Sequence, residues 1–183
     1  MTSALLLMDL QAGIVDRFGA DEGYTARIRD TAATARSAAI PVIWVTVGFR
    51  EGHPEVSARN KSFRALATSG GLTGGPATEV HPALAPAPAD IQVRKRRVSA
   101  FTGSDLDVVL RGVDADTLVL AGIATSGVVL STVRQAADLD YRLVVLADGC
   151  LDADDEVHRV LTTKVFPRQA DVTTAAEWVT TLG

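Results

Sequence analysis

The chain has 183 residues, of which 47% are hydrophobic and 22% charged, the balance of a globular fold of one or at most two domains rather than of a disordered or fibrous chain. Eighteen basic residues against 22 acidic ones leave a formal charge of −4, which excludes a general binder of nucleic acid or anionic membrane. A single cysteine rules out an internal disulfide, and the N-terminal residues lack the basic and apolar regions of a secretory signal, so a reducing cytoplasm is the expected location.

Residues 4–8 (ALLLM) open the pattern with a continuous apolar run, which suits a strand covered on both faces. Helical spacing follows over residues 24–38, and a second apolar run, PVIWVTV, occupies 41–47. Residues 48–88 are rich in Gly, Pro and polar side chains, with one possible set of helical turns at 62–68. A loop of that length inside a compact domain is uncommon unless it covers a site. A weaker strand is expected at 91–93. A helix follows at 104–111, with Ser104 and Asp107 resembling a capping box and Gly112 closing it. The run TLVLA at 117–121 leads into helical spacing over 126–139, and LVVLA at 143–147 leads into 154–165. A faint strand at 170–172 and a helix at 174–181 complete the chain. The longest uncharged stretch, 117–133, is broken by Gly122, Ser126, Gly127 and Ser131 and falls short of the roughly 20 apolar residues that a spanning helix needs. Alternation of buried strands and helices predicts one α/β domain over 1–183, with right-handed crossovers and a mostly parallel sheet.

In such sheets ligands bind beyond the carboxyl ends of the strands, where loops and helix N-termini converge. Three segments with informative chemistry fall there. Asp9 ends the first strand, Lys95 follows the third, and residues 122–129 (GIATSGVV) join the fourth strand to a helix. Strand alternation turns Lys95 away from Arg94 and Arg96, so that it can face inward while its neighbours stay wet. A strand-end carboxylate, an ammonium and a turn of small residues would place an acid/base pair beside backbone N–H donors.

Read together, Asp9-x-Gln11, Lys95-x-x-x-Ser99-Ala100-Phe101 and Gly122-Ile123-x-Thr125 followed by Val129-x-x-Thr132 resemble the signature of the isochorismatase-like cysteine hydrolases. That family includes isochorismatases, nicotinamidases and N-carbamoylsarcosine amidohydrolases. The resemblance implies a three-layer α/β/α fold with a doubly wound sheet of about six strands. It also implies a hydrolase acting on a small molecule without a cofactor, and a homodimer or homotetramer. By the same resemblance Asp9 is the general acid/base and Lys95 holds and polarises it. Backbone N–H groups around a cis peptide at Ile123 and Ala124, and at position 128, form an oxyanion hole. Gln11, Phe18, Thr125, Ser126 and Gly127 are the further candidates for substrate contact.

The nucleophile is where this chain departs from the pattern. The family spacing places the reactive cysteine at Val128, whose side chain carries no lone pair. Isochorismatases also lack that cysteine, since an acid that protonates the vinyl ether lets water complete the cleavage, although their turn carries Ala-His where this chain has Thr125-Ser126. Asp9 fits such an acid, and a catalytically inactive binding module is the alternative. Ser126 and Ser131 are weaker substitutes for the thiol, because a serine here usually caps the helix. Cys150, near Asp148 and His158, follows the fifth strand and is expected to be a buried apolar residue. Glu51 and His53 faintly resemble a metal pair, but the rest of a ligand set is missing and no metal is expected. Trp44 is expected in the core, and Phe18 and Phe49 at a pocket mouth.

Overall fold

A computed structural model describes residues 2–182. Six strands form one all-parallel sheet in the order β3-β2-β1-β4-β5-β6. They are β1 (Ser3–Met8), β2 (Val42–Val47), β3 (Ile91–Lys95), β4 (Thr117–Ile123), β5 (Arg142–Leu151) and β6 (Asp171–Thr173). The chain winds outward from β1 through β2 to β3, then returns to the other side of β1 for β4, β5 and β6. This reversal opens a crevice between the carboxyl ends of β1 and β4.

Alternate residues of β1 serve two cores. Ala4, Leu6 and Met8 pack with Leu106 and Leu110 of α4 (Leu106–Gly112) and with Val133 and Ala136 of α5 (Leu130–Asp138). Leu5 and Leu7 pack with Ile28, Ala32 and Ala35 of α2 (Glu22–Ser37) and with Trp178 of α7 (Ala175–Thr180). The central strands β1, β2 and β4 are therefore covered on both faces, which is why they read as continuous apolar runs. Trp44 is fully buried and its indole N–H donates to Asp90 at 2.7 Å.

Several boundaries differ from the sequence reading. The expected capping box at Ser104 and Asp107 does not form, because the Ser104 hydroxyl donates to Ala100 O at 2.6 Å and Asp107 pairs with Arg111 at 2.8 Å. Residues 125–129 and 161–165 are wide π-type turns, so α5 begins later than expected and α6 (Asp155–Val160) ends earlier. A short helix, α1 (Ala12–Val15), follows β1, and the turn set within the long loop is a full helix, α3 (Lys61–Ser69). Asn60 caps α3 by accepting from the Phe63 amide at 3.0 Å, and Gly70, at φ +70°, ends it in the left-handed conformation that glycine adopts without strain. No described helix is long and apolar enough to cross a membrane.

Candidate active site

The residue after β1 bends the chain. Asp9 has φ +57°, a conformation Asp tolerates better than most residues, and its amide still donates to Val45 O at 2.8 Å. The strand end is thus held to the sheet while the carboxyl turns into the crevice. On β3 the burial alternates, exposing Arg94 and burying Lys95 to 1% exposure. Asp9 Oδ2 and Lys95 Nζ meet at 2.9 Å, and Nζ also donates to Arg97 O at 2.9 Å and Val98 O at 3.0 Å. An ammonium has three protons, and all three are engaged. Asp9 Oδ1, also buried, has no hydrogen-bond partner among the described residues. Burial pushes the Asp9 carboxyl up from 3.8 to about 6, against the opposing pull of Lys95.

The fourth strand comes close through Gly122, paired in register with Met8 at φ +152°. A Cβ there would lie 2.2 Å from Met8 O, so only glycine lets the following turn sit beside Asp9. The peptide between Ile123 and Ala124 is cis. Within the turn, Gly127 N and Val129 N donate to Ala124 O at 3.1 and 3.3 Å, while the Ala124 amide has no partner among the described residues.

Asp9, Lys95 and the turn border a cavity of about 500 Å³. Ile123, Ala124, Gly127 and Val128 form one wall; Ile14, Phe18 and Val47 form another; Phe63 and Leu66 of α3 cover it. The Gly/Pro-rich segment therefore does roof a site. Val128 is on the wall and almost wholly buried, yet the space beside it stays open. Arg17 stands at the mouth with its guanidinium 5.4 Å from the centre of the Phe18 ring. It makes no salt bridge among the described residues, and neighbouring Asp16 faces His81 at 3.5 Å.

Other sequence candidates lie elsewhere. Gln11 is fully buried; its Nε2 donates to Val47 O at 3.0 Å and Thr78 O at 2.9 Å, and its Oε1 accepts from Val47 N at 2.8 Å. Its polar atoms thus tie the end of β1 to β2 and the 78 loop. Thr125 and Ser126 also stay off the cavity wall. The buried Thr125 hydroxyl meets His158 Nδ1 at 2.8 Å, and exposed Ser126 donates its amide to Asp152 Oδ2 at 2.6 Å. Phe49 is buried against Phe63 and His53 instead of standing at the mouth. His53 Nε2 is 2.7 Å from Gly71 O, and no group of three or more His, Cys, Asp or Glu suited to a metal occurs among the described residues. Cys150 is buried opposite Gly122, and burial pushes its thiol up to about 12. The sequence reading missed Arg17, the α3 side chains and His158. The spacing of Phe63 and Leu66 behind an Asn cap was the available signal for α3; nothing local marks His158 as a partner of Thr125.

A doubly wound α/β sheet with this crevice defines the class of protein. An Isochorismatase domain model matches residues 3–177, and the chain belongs to the isochorismatase family. It is 36% identical over 181 residues to the uncharacterized isochorismatase family protein YecD of Escherichia coli O157:H7, covering 96% of this chain and 94% of that one. It is 33% identical to a ureidoacrylate amidohydrolase, RutB, of Methylobacterium radiotolerans, covering 86% of this chain and 70% of that one. Among solved structures, an isochorismatase family protein from Burkholderia thailandensis superposes with a TM-score of 0.86 at 30% identity, over 99% of this chain and 95% of that one.

Proposed function

We propose that this chain hydrolyses a vinyl ether or a C–N bond in a small metabolite, using Asp9 and Lys95 for acid–base chemistry with no cysteine nucleophile. The observation that carries the reading is the Asp9 carboxyl, anchored by Lys95 through one oxygen and unpartnered at the other, beside an apolar cavity. Val128 cannot attack, and the only thiol is buried and held protonated. Water is therefore the nucleophile.

The same carboxyl serves either bond. Protonated, it gives its proton to the terminal vinyl carbon; water adds to the resulting oxocarbenium carbon, the C–O bond breaks, and the proton released returns to the carboxylate. Ionised, it takes a proton from water as the oxygen adds to a carbonyl carbon. The amides of Ala124 and Val128 then receive the developing oxyanion, and the proton passes to nitrogen as the C–N bond breaks. Lys95 remains a fixed cation throughout. Arg17 at the mouth supplies an uncompensated charge suited to a substrate carboxylate. The catalytic roles of Asp9 and Lys95 rest on this geometry together with the family resemblance, and RutB offers a C–N precedent among the relatives.

Turnover of isochorismate, ureido acids and simple amides, measured with Asp9→Asn alongside, tests the proposal. Asp9→Asn is expected to lower kcat by about 100-fold or more while the fold stays intact. The pH profile separates the two routes: activity that falls as pH rises through about 6 belongs to the acid route, and activity that rises there belongs to the base route. An unchanged rate in Asp9→Asn overturns the mechanism. Saturable binding without turnover across the panel assigns the cleft to ligand binding alone.

A further inference from the structure

The turn at 124–129 is held from outside the cavity. Its two fastenings both come from the segment that follows β5: Asp152 accepts the Ser126 amide at 2.6 Å, and His158 on α6 meets the Thr125 hydroxyl at 2.8 Å. Thr125 is fully buried in this contact and His158 half-buried. His158 is itself fixed, since Asp154 caps α6 by accepting from the Glu156 and Val157 amides at 2.9 and 3.2 Å, and Thr162 donates to His158 O at 2.9 Å. Across the turn from these fastenings, Ala124 and Val128 stand on the cavity wall, and the Ala124 amide has no partner among the described residues.

We infer that His158, acting through Thr125, is a positioning residue that aims the Ala124 and Val128 amides into the cleft. Neither side chain touches the cavity, so the effect is indirect, and the inference rests on the hydrolytic reading above. A donor displaced by a fraction of an ångström loses much of its hold on a developing oxyanion, because that stabilisation depends on orientation fixed in advance. Asp152 restrains the turn one residue further on, leaving His158 to set the angle at which the turn leaves β4.

A thiol placed at position 128 reads the turn without the natural substrate. In Val128→Cys, p-nitrophenyl acetate acylates the sulfur: the C–S bond forms, the ester C–O bond breaks, p-nitrophenolate leaves, and the carbonyl oxygen carries the transient negative charge. Iodoacetamide alkylates the same sulfur by displacing iodide, with no oxyanion. Both rates scale with the thiolate fraction, so their ratio isolates the amides. Val128→Cys is expected to be acylated at least about 10-fold faster than the parent chain, whose one thiol is buried. Adding His158→Ala or Thr125→Val is expected to cut acylation by about 10-fold or more while alkylation stays within about twofold. His158→Asn, which keeps a polar atom near the Nδ1 position, and Thr125→Ser are expected to recover most of the loss. Three results overturn the inference: no gain on introducing the thiol, acylation unaffected by His158→Ala, or alkylation falling in step with acylation. Because this readout is separate from the Asp9→Asn turnover assay, failure here with that effect intact removes only the role of His158.

Discussion

At the scale of single residues, the ionisation of Asp9 couples the site to stability. A buried carboxyl pushed up to about 6 holds its proton in the folded state at pH values where the unfolded chain has released it. Its contribution is therefore fully favourable only below the unfolded value of 3.8 and declines as pH rises to about 6, beyond which it levels. Urea unfolding between pH 3.5 and pH 7 should show a declining component in the parent that is absent from Asp9→Asn, with a slope of at most about 1.4 kcal/mol per pH unit. A rising component in the parent would instead show that Lys95, not burial, sets the carboxyl. Much at this scale is legible in the sequence. Asp9, Lys95 and Val128 stand out because their motifs lie at strand ends, and strand alternation alone turns Lys95 inward. The hydroxyls of the turn are harder to read. Thr125 and Ser126 sit where a substrate contact is expected, but direction is set by partners 33 and 26 residues downstream, which no local spacing encodes.

At the scale of elements, the junction of β1 and β4 sets the distance between acid and turn. Gly122→Ala would force a methyl group to within 2.2 Å of the Met8 carbonyl oxygen, a backbone atom that cannot rotate away. The variant should lose about 3 kcal/mol or more of unfolding free energy, or fail to fold, because overpacking adds to an unfavourable φ. Urea titration checks this, and a loss below about 1 kcal/mol would mean that the strands can separate at little cost. Gln11 belongs to the same junction. Its amide satisfies three backbone groups at once, so its place beside Asp9 in the motif reflects the joining of strands, a role that the pattern cannot distinguish from substrate contact.

At the scale of the whole molecule, sheet and roof differ in how firmly they are held. The central strands are buried on both faces, whereas α3, which covers the cavity, has no buried residue and only nine residues of length. A helix that short depends on its contacts for stability. Amide hydrogen exchange in α3 should be at least about 100-fold faster than in β1 and β4, and a ligand filling the cavity should slow it selectively. Equal protection in α3 and β1 would show a rigid roof. The layered fold is readable because strands sandwiched between helices must be apolar throughout, as LLLM and VIWV are. The wide turns at 125–129 and 161–165 are not, since they leave the helical periodicity nearly intact while shifting the hydrogen bonds by one residue.

The full engagement of Lys95 restricts the traffic of hydrogen through the cleft. With each of its protons already committed, the ammonium acts as a stationary counter-ion, leaving the free oxygen of Asp9 as the sole exchange point. In the proposed reaction, each turnover therefore starts and finishes at one atom, and the water that is split restores what that atom has lent. Such a cycle is self-contained: the cleft can close over its substrate without a relay to bulk solvent.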